Sequence, residues 1–539
     1  MGALSATVIA VVSAAGCTGG GKTPAATIDK NDTPLGRYAD TVTITQVRSV
    51  NPNITFADGE SIQNNFVSEF YLEKLNIKWE DKWTADPSAY STKLNLDIAS
   101  DELPDVCVVN ANQLNTMVAS GQVLDLSEYY DHFATDKLKN NISEAAIASA
   151  TYDGKLYAIP QMTSMESDSP IMWLRTDWMK KIGKSAPTTY AELVDYVKAL
   201  KASGLVKNGK AGLNFYGPGS QAFAAIAGTQ GAYYDMWIDD GTGKLVYSGV
   251  QPEMRAALRL MQDMYKDGLI DEDFAIKGST EESLIAQGEY GVVFGQYFYG
   301  HLIKGSVLND QNATWEAFPI PADADGNIIP QSKLNVGGYY VVNPACKNPE
   351  ALIKSMNLWM EVWTKDGEYR EWFTDTMLSD RYKDVYLCGE YALPSFFDVV
   401  DNNVNIGSQL REIYASSDPA KAAENYPMVR LTYNLIESHR SNFYQFVGGE
   451  GWALDVIYKT AEKVFSDTYK DFKYNLFNGV YSDDAQFYKT SLDTRMIETY
   501  YNIIMGGDIS EFDTFAESWH KDGGDAVTDE VNKWYAEHK

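Results

Sequence analysis

The sequence is poor in the residues that build metal centres and nucleophilic active sites. Its 539 residues include 5 histidines and 4 cysteines, and Cys17, Cys107, Cys346 and Cys388 form no CxxC pair. The histidines show no metal-ligand spacing, and no GxSxG motif marks a serine nucleophile. We therefore predict no metal, no cofactor and no catalytic residues.

Basic residues are scarce relative to acidic ones. The chain has 45 lysines and arginines against 74 aspartates and glutamates, which gives a formal net charge of -29. A surface of this sign repels phosphate backbones, so we exclude nucleic acid as a partner. It also disfavours a polyanionic solute, unless the protein has a local basic pocket.

The apolar run at the N-terminus is too short to cross a bilayer. Residues 1–16 carry no charge, but a transmembrane helix needs about 20 apolar residues. The run ends in small residues directly before Cys17, which resembles the signal peptide and lipobox of a bacterial lipoprotein, although no Lys or Arg precedes it. We predict a signal peptide over 1–16, lipidation of Cys17 and a flexible tether over 17–37.

The same region matches the phosphate-loop pattern GxxxxGK(S/T) over Gly16–Thr23. A phosphate loop must open a helix whose N-terminal amides point at the anion. Here Pro24 follows and no amphipathic period appears, so we predict no nucleotide site.

The rest of the chain carries the signals of a packed α/β protein. Hydrophobic residues make up 45% of the chain, and a chain of this length favours two lobes. Strand signals over 41–45, 77–79 and 106–109 alternate with helical segments, which predicts a parallel sheet. The last hundred residues have a mostly helical pattern.

Segments in a defined order and spacing resemble one family. They are Leu103–Val106, Ser120–Leu126, Tyr152–Pro160, Trp173–Trp178, Met264–Phe274, Gly288–Gly295 and Ile503–Asp513. Together they are similar to the family 1 extracellular solute-binding proteins, in particular the large lipoprotein branch linked to carbohydrate import in Gram-positive bacteria. The resemblance extends over nearly the whole chain that follows the predicted tether.

This resemblance implies a type II periplasmic-binding-protein-like fold, with two α/β lobes, a multi-crossing hinge and a central ligand cleft. We place the crossings near 159–164, 292–297 and 335–339, where extended segments and small residues can absorb a hinge rotation. The predicted domains follow from these crossings. They are lobe one over 38–160 plus 292–336, lobe two over 161–291 plus 337–440, and a helical C-terminal region over 441–539. The sequence does not indicate on which of the two lobes this region packs.

The family binds sugars with aromatic platforms and a rim of polar side chains. The resemblance implies a platform at Tyr297, and the candidates that accompany it are Trp237, Tyr216, Gln161, Glu166 and Trp173. Core packing is an alternative for each aromatic residue, most of all for Trp173 in its strand-like run. Asp323–Asn327 has half the spacing of a calcium loop, and we interpret it as a β-turn.

The function implied is capture of an oligosaccharide, without chemistry, for delivery to ABC transporter permease subunits. The protein would be a monomer that is anchored by Cys17 at the extracytoplasmic face of the cell membrane. Two alternatives stay open. One is the same fold for a peptide or other polar solute, with Arg48 or Arg175 binding a peptide terminus. The other is an exported glycoside hydrolase. Such an enzyme needs two carboxylates that face each other across the scissile bond, and the sequence alone does not identify a pair among its 74 aspartates and glutamates.

Overall fold

The computed structural model describes residues 28–538, apart from 53, 165–168, 277–280, 333, 365, 378, 383–401 and 442–449. The strands are β1 (Val42–Ser49), β2 (Ile77–Ala85), β3 (Val106–Val109), β4 (Thr151–Tyr152), β5 (Lys155–Leu156), β6 (Ile159–Met162), β7 (Ile171–Arg175), β8 (Trp237–Asp239), β9 (Leu245–Tyr247), β10 (Val292–Gly295), β11 (Trp315–Phe318), β12 (Gln331–Ser332), β13 (Val336–Val342) and β14 (Lys473–Tyr474). The helices of the first half are α1 (Phe66–Leu75), α2 (Pro87–Ser100), α3 (Ala111–Ser120), α4 (Ser127–Phe133), α5 (Asp136–Asn141), α6 (Glu144–Ser149), α7 (Thr176–Lys181), α8 (Tyr190–Ala202), α9 (Gln221–Gly228), α10 (Pro252–Lys266) and α11 (Glu281–Gln287). Those of the second half are α12 (Gly300–Asn309), α13 (Glu350–Trp363), α14 (Arg370–Met377), α15 (Asn402–Ala415), α16 (Pro419–Ala423), α17 (Pro427–Ser441), α18 (Glu450–Val456), α19 (Glu462–Asp467), α20 (Asp483–Ile504), α21 (Ser510–Trp519) and α22 (Asp525–His538).

Lobe one comprises residues 28–162 and 336–382 and is built on a five-stranded sheet. The strand order is β2-β1-β3-β13-β6, in which β1 runs parallel to β2 and β3. Strand β13 runs antiparallel to both of its neighbours. Strand β3 is apolar along its length, as is expected of a central strand that is covered on both faces.

Lobe two comprises residues 171–320 and 402–538 and has a separate hydrophobic core. Its sheet has the order β10-β7-β11, with β7 antiparallel to both neighbours. All five residues of β7 are buried, because helices and loops of the lobe enclose the sheet. The two α/β lobes confirm the predicted fold class.

The lobe boundaries differ from the predicted ones in the middle of the chain. We expected 292–336 in lobe one and 337–440 in lobe two. Instead β10 and β11 flank β7 in lobe two, while β13 lies between β3 and β6 in lobe one. Strands β10 and β13 are both short, apolar and rich in glycine and valine, so composition does not indicate which sheet each one joins.

The chain crosses between the lobes at two of the predicted places. It leaves lobe one after β6 and returns to it at β13, near 159–164 and 335–339. It enters lobe two again between α14 and α15. The crossing predicted over 292–297 is wrong, because β10 pairs with β7 inside lobe two.

The C-terminal region packs on lobe two. Helix α20 inserts Met496 and Tyr500 into the core of that lobe. Trp519 of α21 stacks on Tyr247 of β9, with ring centroids 5.3 Å apart and planes 3° from parallel. Within the described ranges, no helix has both the length and the apolar character needed to span a bilayer.

The segment over 28–37 is bound to lobe one, so the prediction of a flexible tether is wrong for these residues. Lys354 of α13 has a fully buried side chain, and its Nζ donates to the two Asp32 carboxylate oxygens at 2.8 and 2.6 Å. It also donates to Gly36 O at 2.8 Å, and Asn357 donates to Pro34 O at 3.0 Å. The signal peptide predicted over 1–16 lies outside the described residues.

Candidate functional site

The sheets of the two lobes end near each other at the lobe boundary. In lobe one the chain leaves the sheet at Met162 and re-enters it at Val336, and these two residues pair. In lobe two the chain enters at Ile171, which pairs with Gly295 at the end of β10. The carboxyl ends of β1, β3, β6 and β10 therefore border the cleft, which is where open α/β sheets bind ligands.

A cavity of about 250 Å³ lies at the carboxyl ends of β1 and β3. Its polar lining comes from β1, the start of α2, the start of α3, the hinge strand β6 and β13. These residues are Gln46, Arg48, Ser49, Tyr90, Ser91, Asn110, Gln113, Gln161 and Tyr340. All of them belong to lobe one. We call this set of residues the cavity wall of lobe one.

A helix cap fixes the polar groups at the end of β3. The Asn110 side chain accepts from the Gln113 backbone N–H at 2.9 Å, and Gln113 Oε1 accepts from the Asn110 N–H at 2.9 Å. Gln113 Nε2 then donates to Asn95 Oδ1 at 2.7 Å. Tyr90 is also held in place, because its hydroxyl donates to Val108 O at 2.9 Å.

Arg48 contributes a positive charge to this wall, and Asp81 neutralises it. Arg48 Nε and Nη2 donate to Asp81 Oδ2 at 3.3 and 3.2 Å, and Nη2 donates to Ile62 O at 3.2 Å. Gln46 Nε2 donates to the other Asp81 oxygen at 2.7 Å. The two charged side chains are 5% and 2% exposed, so among the described residues this wall presents no uncompensated formal charge.

Two glycines of β13 leave room beside Gln161. A Cβ at Gly338 would lie 2.7 Å from Val108 Cγ1 and 3.2 Å from Gln161 Oε1. A Cβ at Gly337 would lie 3.2 Å from Thr163 Cγ2. A side chain at position 338 would therefore displace Val108 or Gln161 and close this part of the cavity.

On lobe two, Tyr297 follows the end of β10 that faces the lobe boundary. The ring is half-buried, and its hydroxyl accepts from Asn403 Nδ2 at 2.8 Å. Phe298 meets the ring edge-on, with centroids 5.7 Å apart. These contacts lie within lobe two, and the role of Tyr297 as a platform for a solute stays a prediction.

A half-buried carboxylate, Glu281, lies near Tyr216 in lobe two. Glu281, at the start of α11, accepts from Asn214 Nδ2 at 2.6 Å and from the Tyr299 hydroxyl at 3.2 Å. Burial raises the pKa of Glu281, although these two hydrogen bonds oppose the shift. Tyr216 is half-buried, and burial together with the nearby Glu281 raises its pKa.

Two of the predicted platforms lie in the core of lobe two instead of the cleft. Trp237 is 2% exposed, packs against Tyr247 and Trp519, and donates from Nε1 to the Tyr481 hydroxyl at 2.7 Å. Trp173 is fully buried in β7, and its Nε1 donates to Gln296 O at 3.1 Å. An aromatic residue in a loop or strand has the same sequence signal whether it fills a core or lines a cleft.

The remaining predicted positions divide into two groups. Glu166 and Cys17 lie outside the described residues. Of the two arginines suggested for a peptide terminus, Arg48 is paired as described above. Arg175 is at the far end of β7, bonded to Asp177 at 3.0 Å and Asp310 at 2.5 Å, so it is remote from the lobe boundary.

Sequence reasoning missed several polar residues of the cavity wall, namely Gln46, Tyr90, Asn110 and Gln113. A signal existed for two of them. Asn110 follows an apolar strand directly and stands three residues before Gln113, which is the spacing of a helix cap at a strand's carboxyl end. Gln46 and Tyr90 have no comparable pattern.

Residues 72–386, more than half of the chain, match the family model described as bacterial extracellular solute-binding protein. The chain belongs to this family. The resemblance predicted from the sequence segments is thereby confirmed. In this solute-binding protein, the candidate site is the lobe-one cavity at the carboxyl ends of β1 and β3.

Two relatives and a solved structure illustrate the similarity. Lipoprotein LipO of Bacillus subtilis is 22% identical over 478 residues, which cover 85% of this chain and 86% of LipO. The fructooligosaccharide ABC transporter substrate-binding protein FusA of Streptococcus pneumoniae is 25% identical over 262 residues, which cover 45% of this chain and 48% of FusA. The crystal structure of an extracellular solute-binding protein from Bifidobacterium longum subsp. infantis aligns with a TM-score of 0.60 at 17% identity, covering 93% of this chain and 99% of that one.

Proposed function

We propose that this solute-binding protein captures a neutral oligosaccharide between its lobes and delivers it to the permease subunits of an ABC importer. The observation that carries the proposal is the cavity wall of lobe one. Its polar side chains, apart from Arg48, carry amides and hydroxyls, and Asp81 balances the charge of Arg48. Planar amides and hydroxyls suit the hydroxyl rim of a sugar, whereas a peptide terminus or polyanion needs an unpaired charge.

The relatives support the same class of ligand. FusA is named for fructooligosaccharide, and a solved structure of FusA holds kestose. Tyr297 and Tyr216 on lobe two are the side chains we propose as stacking and hydroxyl partners. Gln161, which lines the cavity on lobe one, is the amide partner.

Binding proceeds in this proposal without a chemical step. Contacts from both walls stabilise the closed arrangement, so the solute shifts the lobe equilibrium by its differential affinity for the two states. The protein acts as a monomer on the extracytoplasmic face of the cell membrane. The diacylglyceryl anchor that we propose at Cys17 would give stable attachment.

The anchor has a simple test. Cys17→Ser removes the thiol that would carry the lipid, so we expect the protein to leave the membrane fraction and appear in the medium. Thr18→Ala, at the neighbouring position, should stay with the membrane. Full membrane retention of the Cys17→Ser variant would contradict the proposed anchor.

A thermal-shift screen tests the binding function. The chain from residue 17 onward, carrying Cys17→Ser, is heated with neutral oligosaccharides that include kestose, with peptides and with acidic glycans. A ligand that binds only the native state at 100 times its Kd adds about 2.7 kcal/mol of stability, so one neutral glycan class should raise the melting temperature clearly. Chromatography should recover that glycan unchanged. A shift with peptides alone, or the appearance of cleaved glycan, would overturn the proposal.

A further inference from the structure

Lobe one holds the segment over 28–37 from end to end, and we call this segment the strap. Ile28 and Leu35 are partly buried and pack against the hydrophobic core of the lobe. At the other end, Arg37 Nε donates to Glu73 O, in the last turn of α1, at 3.0 Å. The contacts therefore run from the first residue of the strap to the last.

The centre of the strap supplies the counter-charge of a buried cation. Asp32 is the carboxylate partner of Lys354 in α13, whose side chain is fully buried. Gly36 O accepts from the same ammonium at 2.8 Å, and Asn357 Nδ2 donates to Pro34 O at 3.0 Å. Because a buried ammonium that loses its partner is strongly unfavourable, the strap is an integral part of the folded lobe.

Covalent geometry limits the distance between lobe one and a lipid carried by Cys17. Eleven residue steps separate Cys17 from Ile28. Each step spans at most about 3.6 Å whatever the conformation, so the two Cα atoms lie at most about 40 Å apart.

Without the strap this limit would be much larger. The first held residue would then be Tyr38, whose hydroxyl donates to Glu350 Oε1 at 2.7 Å. Tyr38 lies 21 steps from Cys17, which corresponds to a limit of about 75 Å. The docked strap therefore takes ten residues out of the connection between the lipid and the folded protein.

We propose that the strap ties the membrane anchor to lobe one and keeps that lobe within about 40 Å of the lipidated end of the chain. The inference rests on the proposed function in one respect, since it takes Cys17 as the point of attachment. The side chains and backbone that hold the strap belong to α1 and α13, so lobe one is the membrane-held lobe. Lobe two is joined to it through the hinge segments.

Neutron reflectometry on a supported phosphatidylcholine bilayer measures the height of the protein layer above the lipid. The chain from residue 17, carrying Cys388→Ser, is coupled through the Cys17 thiol to a maleimide lipid, so the result does not depend on acylation in the cell. Cys107 and Cys346 are buried free thiols and do not compete for this coupling.

Two variants of this chain differ in the strap and share the rest of the tether. In the control, a Gly/Ser sequence replaces residues 18–27 and the strap is kept. In the test variant, a Gly/Ser sequence replaces residues 18–37, and Lys354→Met removes the ammonium that would lose its partner. A Gly/Ser coil has a root-mean-square span of about 18 Å over 11 residues and about 25 Å over 21, so the test variant should lie about 7 Å higher.

Equal heights of the control and the test variant would overturn the proposal, because the strap would then not shorten the tether. Melting temperatures show whether both variants fold. If the test variant does not fold, Asp32→Asn combined with Lys354→Met in the control chain removes the ion pair and leaves no buried charge unpaired. That variant should also lie higher than the control, and an unchanged height would again overturn the proposal. The anchor is judged separately, by the membrane fractionation of Cys17→Ser, so the two failures are distinguishable.

Discussion

Gln161 is a predicted site residue that the structure brings to the lobe-one cavity. It lies in the hinge strand β6, lines the lobe-one cavity and has space beside it because position 338 is glycine. We expect Gln161→Ala to raise the Kd of the captured solute by about two- to tenfold, since it removes one neutral hydrogen-bonding group. Isothermal titration measures this change.

The matched control for this substitution is Gln287→Ala, at an exposed position of α11 in lobe two. It removes the same side chain without touching the cavity, so solute affinity should stay at the parent value. If Gln161→Ala folds with an unchanged melting temperature and an unchanged Kd, Gln161 does not contact the solute.

Single residues also show where sequence reasoning stops. Tyr297 and Trp237 were predicted for the same role, yet Tyr297 is half-buried just after β10 and Trp237 is buried under Trp519. Both are aromatic residues beside turns, and apolar surface alone favours burial equally in a core or under a sugar. Their separation depends on α21, which is more than 200 residues away in the chain from both.

At the scale of elements, the segment over 28–37 and helix α13 stabilise each other. The Lys354 ammonium is fully buried and has Asp32 as its carboxylate partner. Asp32→Asn leaves that ammonium without its counter-charge, and breaking a buried pair in this way costs about 3–5 kcal/mol. Denaturant unfolding of lobe one should show a loss of this size.

The control for this prediction is Asp40→Asn, which removes an exposed carboxylate from the same part of the chain. Its free energy of unfolding should stay within about 0.5 kcal/mol of the parent, as is usual for surface substitutions. Lys354→Met combined with Asp32→Asn should recover much of the lost stability, because no buried charge remains unpaired. Equal stability of Asp32→Asn and Asp40→Asn would contradict the importance of the pair.

The elements were predicted better than their arrangement. Alternating strand and helix signals describe local structure, and the strand signals over 41–45, 77–79 and 106–109 are found in β1, β2 and β3. The sheet that a strand joins is decided by its partner strand, far away in sequence. Strand β13 therefore enters lobe one between β3 and β6, although nothing in its own seven residues distinguishes it from a lobe-two strand.

For the whole molecule, the central fact is that the two hydrophobic cores are separate. Each lobe has its own sheet, and the chain passes between them at the hinge segments. A multidomain protein of this kind departs from two-state unfolding, so we expect two transitions in differential scanning calorimetry. A bridging solute binds when both lobes are folded, and it should therefore raise the temperature of the lobe that unfolds first.

A pair of matched substitutions assigns these transitions to the lobes. Leu94 lies in the lobe-one core and Leu258 in the lobe-two core, and both side chains are fully buried. Each Leu→Ala change leaves a cavity and should cost about 2–5 kcal/mol. Because the cores are separate, Leu94→Ala should lower one transition and Leu258→Ala the other. If both variants lower a single shared transition by the same amount, the two lobes unfold as one cooperative unit. Contacts between the lobes would then couple their unfolding, although their hydrophobic cores are separate.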